Sequence, residues 1–62
     1  MIKNLDIRIM VSESGLLYQD IAERMGISRV WLSKLMGRDL APENRERILR
    51  AIMELRGEAN EG

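Results

Sequence analysis

The sequence lacks cysteine and histidine altogether, and this absence removes several classes of protein. Without cysteine there is no disulfide, and without either residue type there is no structural zinc site of the usual kind. Catalysis would have to come from scattered carboxylates and serines, without a glycine-rich phosphate loop after a strand. We therefore expect a protein that is not an enzyme and that has no metal, no cofactor and no small-molecule substrate.

Long apolar runs are missing as well. No stretch approaches the ~20 residues that a membrane-spanning helix needs. Lys3 and Asp6 place charges where a signal peptide would be apolar. The apolar fraction of 45% is nevertheless too high for a disordered tail and is ordinary for a packed helical domain. We expect a cytoplasmic protein that makes no use of a membrane.

The chain is short for an independent fold. A domain of 62 residues buries only about 60% of the surface that its unfolded chain exposes. Because neither a disulfide nor a zinc site can reinforce so small a core, a second subunit would add needed stability. This consideration favours a homodimer.

Four segments carry apolar residues at helical spacing, and we predict an all-helical, compact four-helix domain. The first segment follows Asn4, which is a suitable N-cap, and ends before Gly15. Residues 5–9 partly alternate as a strand would. No other segment could pair with such a strand, and this favours the helix.

The second helix is predicted from Tyr18 onward and ends at Gly26, which tolerates a left-handed conformation. Asp20 and Arg24 on its polar face are spaced for an ion pair within the helix. The third helix is predicted over residues 28–36, with Ser28 as its N-cap. Its single tryptophan is expected to pack at the edge of the core or under the last helix.

Pro42 suits the first turn of a last helix, in which one stripe of apolar residues would close the core. The members of that stripe are Ile48, Ala51, Ile52 and Leu55. We place the domain at residues 1–57 and interpret residues 58–62 as a polar C-terminal tail that frays.

The stretch from Tyr18 to Leu35 resembles the helix-turn-helix of phage repressor and Cro-like proteins. In that family the first helix of the motif carries a small residue, and a glycine follows four positions later. One aliphatic residue comes directly after the glycine, and a second aliphatic residue comes six positions after the glycine. Here these are Ala22, Gly26, Ile27 and Leu32. The resemblance implies a lambda-repressor-like fold and sequence-specific binding of double-stranded DNA by a transcriptional regulator. It extends to very short regulators of phages and mobile elements.

The resemblance also implies roles for individual residues. The third helix would enter the major groove as a recognition helix, because that groove admits one helix. Arginine and lysine suit the acceptors of guanine, and valine suits the methyl group of thymine. The predicted base contacts are Ser28, Arg29, Val30, Ser33 and Lys34. The predicted phosphate contacts are Tyr18, Gln19, Arg38 and Arg45, although the family often has a glutamine at the position of Tyr18.

The net charge is zero, whereas DNA-binding domains are usually basic. The segment 28–38 is nevertheless basic, since it holds Arg29, Lys34 and Arg38 and no acidic residue. The last helix, by contrast, is rich in glutamate. A second function therefore stays open, in which the helix-turn-helix fold serves as a protein–protein interaction module without binding DNA.

Leu49 and Met53 widen the apolar arc of the last helix beyond what one small core needs. We predict that they form a dimer interface, and the alternative is that the first helix wraps far enough to cover them. A twofold dimer would present two recognition helices about 34 Å apart. Its preferred partner would then be a palindromic operator.

Overall fold

A computed structural model describes residues 2–61 of the chain. Across these residues it contains four α-helices and no strand, so the predicted all-helical class is confirmed. The helices are α1 (Leu5–Ser14), α2 (Tyr18–Met25), α3 (Arg29–Met36) and α4 (Pro42–Glu61). None of these helices combines the length and the apolar character that crossing a membrane requires.

All four helices contribute to one hydrophobic core. Helix α2 packs against both α3 and α4, and α1 packs against α4. The buried residues recur at the three- and four-residue spacing of one helix face. They are Ile7, Val11, Ile21, Ala22, Leu32, Leu35, Met36, Ile48, Ala51 and Ile52.

The connection between α2 and α3 is tight. Gly26 adopts the predicted left-handed conformation, with φ 76°, and the next amide, that of Ile27, donates to the carbonyl oxygen of Ala22 at 3.0 Å. Ser28 is the N-cap of α3, as predicted, because its Oγ accepts from the backbone N–H of Trp31 at 3.1 Å. The chain thus ends one helix and starts the next within three residues.

Asn4 does not cap α1 as the sequence suggested. It is left-handed, with φ 57°, and makes no side-chain cap. Its Nδ2 instead donates to the carbonyl oxygens of Met36 at 3.1 Å and Arg38 at 2.9 Å. The reason is that carbonyls at the C-terminal end of α3 have no partner within their own helix. Asn4 therefore joins the start of α1 to the end of α3.

Helix α4 continues through Gly57 and ends at Glu61. Arg24 on α2 reaches two successive turns of α4, pairing with Glu54 at 3.8 Å and also with Glu58. These pairs tie the end of α4 to α2. They also replace the ion pair that we predicted between Arg24 and Asp20.

Candidate nucleic-acid interface

The spacing of apolar residues along α3 gives the helix a buried inner face and an exposed outer face. Leu32, Leu35 and Met36 occupy the core side. Val30 lies nearly opposite Leu32 and is 66% exposed. Four of the five predicted base contacts line one shallow depression on this outer face, namely Arg29, Val30, Ser33 and Lys34.

Ser28, the fifth predicted base contact, lies at the start of α3. Its hydroxyl oxygen already accepts the hydrogen bond from Trp31. A hydroxyl can accept with one lone pair and still donate its own hydrogen. Ser28 is exposed, so that donor remains available to a partner at this end of the helix.

The start of α2 borders the start of α3. Tyr18, Gln19 and Arg29 line a second depression together with Leu16 and Leu17. Two of the four predicted phosphate contacts are therefore next to the predicted base contacts. We refer to the combined surface as the basic surface, and its members are Tyr18, Gln19, Arg29, Val30, Ser33 and Lys34.

A third hollow adjoins the basic surface and includes a residue that the sequence did not reveal. Its volume is about 100 Å³, and its walls are Arg8, Tyr18, Arg29, Ser33 and Met36. We call it the arginine cleft. Arg8 comes from α1, and no local pattern in the sequence indicates that α1 approaches α3 at this point.

Hydrogen bonds to backbone carbonyls hold the guanidinium of Arg8. Its Nε donates to the carbonyl oxygen of Lys3 at 2.9 Å, and its Nη2 donates to that of Met36 at 3.1 Å. The carbonyl of Met36 therefore accepts from both Asn4 and Arg8. Neutral acceptors position the side chain without cancelling its charge.

Positive charge on this side of the molecule is not neutralised locally. No acidic residue lines the two depressions or the arginine cleft. Among the residues that the structure describes, the ion pairs lie elsewhere. They join Lys3 with Asp39, Arg24 with Glu54 and Glu58, Arg45 with Asp6, and Arg50 with Glu46. The ten acidic residues of the chain offset its ten basic ones, and none of these acids lines the three hollows.

Arg45 lies away from the basic surface. It pairs with Asp6 of α1, and the hydrogen bond from Arg45 lowers the pKa of the Asp6 carboxyl while the same contact raises the pKa of Arg45. It also lines a depression on α4 that is separate from the basic surface. Arg38, the remaining predicted phosphate contact, is exposed after the end of α3 and lines neither depression of the basic surface.

Trp31 is not at the edge of the core, and that prediction was wrong. It is 47% exposed and lies on the flank of α3 away from Arg29. Leu32 and Leu35 fill the space on the core side of the helix. Leu17, which we did not predict as part of any site, is also exposed beside the basic surface.

The two residues of the predicted dimer interface differ in exposure. Leu49 packs partly against the core, whereas Met53 is 68% exposed. Both line a broad, shallow depression on α4, and its polar rim carries both signs of charge. The members of that rim are Arg45, Glu46, Arg50 and Glu54. Helix α1 therefore does not cover Met53.

No family model, curated protein or solved structure matches the chain. The chemistry of the basic surface must therefore carry the functional argument. That surface combines a solvent-exposed helix, uncompensated positive charge, and side chains that can donate hydrogen bonds or contact a methyl group.

Proposed function

We propose that the protein binds double-stranded DNA sequence-specifically by inserting α3 into the major groove. The observation that carries this proposal is the charge distribution on the basic surface. Arg29 and Lys34 take part in no described ion pair and share a surface without an acidic lining residue. A phosphate backbone suits such a surface, because basic side chains that neutralise phosphates release the counterions bound to them.

The mixture of side chains on α3 supports base reading in addition to charge attraction. Lys34 can donate to the acceptors of guanine, and the exposed Val30 can contact a thymine methyl group. Tyr18 and Gln19 at the start of α2 are positioned to contact phosphates beside the groove. The proposal omits Arg45, since that residue pairs with Asp6.

The path of the chain from α2 to α3 supports a lambda-repressor-like helix-turn-helix. Gly26 is left-handed, Ser28 caps α3, and Ala22 and Leu32 are buried between the helices and the rest of the core. These features agree with the resemblance to phage repressor and Cro-like proteins. In the proposed role the protein is a cytoplasmic transcriptional regulator that acts on a promoter or on genes of a phage or mobile element.

The proposed DNA complex contains two copies of the chain. The exposed Met53 and the adjacent Leu49 provide an apolar strip, and a twofold axis would bring the same strip from both copies together. Glu46 and Arg50 border that strip with opposite charges. Such a border is self-complementary, because a rotated copy can oppose an acid with a base. The operator would then be palindromic.

Selection from a random duplex pool tests sequence-specific binding. We expect enrichment of a palindromic site, followed by salt-dependent binding of that site in fluorescence polarisation. Lys34→Ala should weaken this specific complex by roughly 1–3 kcal/mol and relax the preference at one base position. Arg47→Gln removes one charge from the exposed side of α4 opposite Leu49 and serves as the control that leaves the base preference unchanged.

Sedimentation tests the dimer separately. The double change Leu49→Glu with Met53→Lys should convert a wild-type dimer to a monomer. A wild-type protein that is monomeric both alone and on its selected site would contradict the dimer.

A protein-interaction role is the second candidate, and exposed Val30 and Trp31 favour it. These two apolar residues follow one another on α3 and are 66% and 47% exposed. If no duplex binds at low salt, DNA binding is refuted and this role becomes the better explanation. A duplex complex that weakens on Lys34→Ala would refute the second candidate as the sole function.

A further inference from the structure

The arginine cleft brings two guanidinium groups from different helices around one small cavity. Arg8 projects from α1 and Arg29 from the first turn of α3, and the hydroxyl-bearing residues Tyr18 and Ser33 complete the polar wall. We propose that this cleft binds one phosphate group of a nucleic-acid backbone. The inference rests on the proposed function, and it identifies the residues that anchor the duplex beside the base-reading face.

The two arginines determine the electrostatics of the cleft. Like charges around one cavity repel each other, and an anion between them removes that repulsion. No carboxylate lines the cleft, and neither arginine belongs to an ion pair within residues 2–58. The arrangement therefore lacks its counter-charge. A phosphate supplies both the charge and several acceptor oxygens.

The donor geometry supports the same ligand. A guanidinium carries five N–H donors, and the hydrogen bonds to the carbonyls of Lys3 and Met36 position Arg8 while leaving other donors unused. Arg29 lines the cleft and both adjoining depressions, so it lies at their junction. A planar guanidinium group can donate two parallel hydrogen bonds to two oxygens of one phosphate. This geometry adds specificity to the electrostatic attraction.

Helix α2 adds a second, independent source of positive potential. It begins at Tyr18, a residue of the cleft wall, and Leu17 in the N-cap position supplies no side-chain acceptor. The first amides of a helix lack partners in their own helix, and the dipole makes that end positive. Asp20 in the first turn of α2 offsets part of this potential but does not line the cleft, so an anion in the cleft gains the remainder.

The position of the cleft also gives the residues of α3 two different roles. Arg29 and Ser33 lie on the flank that faces the cleft, whereas Val30 and Lys34 lie further out. Arg29 and Ser33 then bind the backbone and fix the register of the helix, and Val30 and Lys34 read bases. This division assigns Arg29 to phosphate rather than to guanine.

The decisive variant is Arg8→Gln, because the sequence alone gives Arg8 no role. We expect it to weaken binding about tenfold, equally for a selected site and a random duplex. We expect the slope of log affinity against log salt to become shallower by about one. Arg8→Lys keeps the charge, so it should retain the slope while losing part of the affinity. Arg47→Gln, the charge-matched control, should change neither quantity.

Arg8 also stabilises the fold, so binding is measured well below each variant's melting temperature. A purely structural role cannot change the salt slope of protein that is fully folded. As an independent readout, inorganic phosphate is titrated against chloride at constant ionic strength while the Nε–H signals of Arg8 and Arg29 are followed by NMR. We expect both signals to shift with phosphate and not with chloride.

Three results would overturn the inference, and they separate it from the proposed function. A wild-type salt slope in folded Arg8→Gln, with duplex binding intact, would show that DNA is bound without a phosphate in the cleft. Nε–H signals of Arg8 and Arg29 that do not shift with phosphate would show that the cleft does not bind phosphate. Phosphate-dependent shifts in a protein that binds no duplex would refute both DNA binding and the backbone ligand, and would leave a site for free phosphate.

Discussion

Replacing Asn4 with alanine is expected to destabilise the fold by about 2–4 kcal/mol. The amide makes two hydrogen bonds, to the carbonyls of Met36 and Arg38, and each contributes roughly 0.5–1.5 kcal/mol. The left-handed backbone, with φ 57°, costs alanine about 1 kcal/mol more, because its Cβ approaches the following carbonyl. A chain of this size has a total stability of roughly 3–9 kcal/mol, so the loss would be a large share.

Asn4→Gly separates the two contributions. Glycine adopts the left-handed conformation freely but has no amide to donate. It should therefore cost about 1–3 kcal/mol and remain about 1 kcal/mol more stable than the alanine variant. Urea denaturation followed by circular dichroism gives both differences, and each kcal/mol should lower the melting temperature by about 4–8 °C. A glycine variant as stable as wild type would refute the role of the hydrogen bonds. Equal stabilities of the two variants would refute the role of the backbone conformation.

Three further changes test other parts of the fold. Gly57→Ala should stabilise the protein by about 0.8–1 kcal/mol in urea denaturation, because Gly57 is inside α4 and an added Cβ meets no atom within 4 Å; a loss of stability would contradict a continuous helix. Gly26→Val should lower the melting temperature, because valine would be forced to φ 76°, and an unchanged melt would contradict this turn. Asp6 has a folded-state pKa below its ordinary value of 3.8. Its ion pair therefore stabilises the fold above pH 3.8, and this stabilisation is lost as the pH falls through the folded-state pKa. Asp6→Asn should flatten this acid dependence in denaturation curves, and a curve parallel to wild type would show that the pair with Arg45 adds no stability.

Short-range patterns in the sequence predicted the helices well. The periodicity of apolar residues gave four helices and their buried faces, because one repeat of 3.6 residues determines which side chains meet the core. Gly26 and Ser28 were predictable for a related reason. A left-handed helix end and an N-cap are local geometries with strong residue preferences.

Contacts between distant segments were not predictable in the same way. Asn4 bonds to carbonyls more than thirty residues away, since its separations from them are 32 and 34 residues. Arg24 of α2 pairs with Glu54 and Glu58 of α4, and not with Asp20 on its own helix. Arg8 enters the cleft only because α1 lies beside the end of α3. The spacing of residues within one helix contains no information about such neighbours.

The candidate site was predicted in part. The sequence indicated the outer face of α3, and the structure places Arg29, Val30, Ser33 and Lys34 around one depression. The resemblance also implied a phosphate contact for Arg45, and its partner Asp6 on α1 could not be seen from the last helix alone. Whether a basic side chain forms an ion pair depends on tertiary contacts, which the composition of the chain does not reveal.

A basic surface without ion pairs, on a chain of zero net charge, gives the molecule an electric dipole. A dipole attracts a distant duplex weakly but exerts a torque on the protein once it comes within about one Debye length, roughly 8 Å at physiological salt. Encounters would thus begin slowly and yet arrive already turned toward the groove.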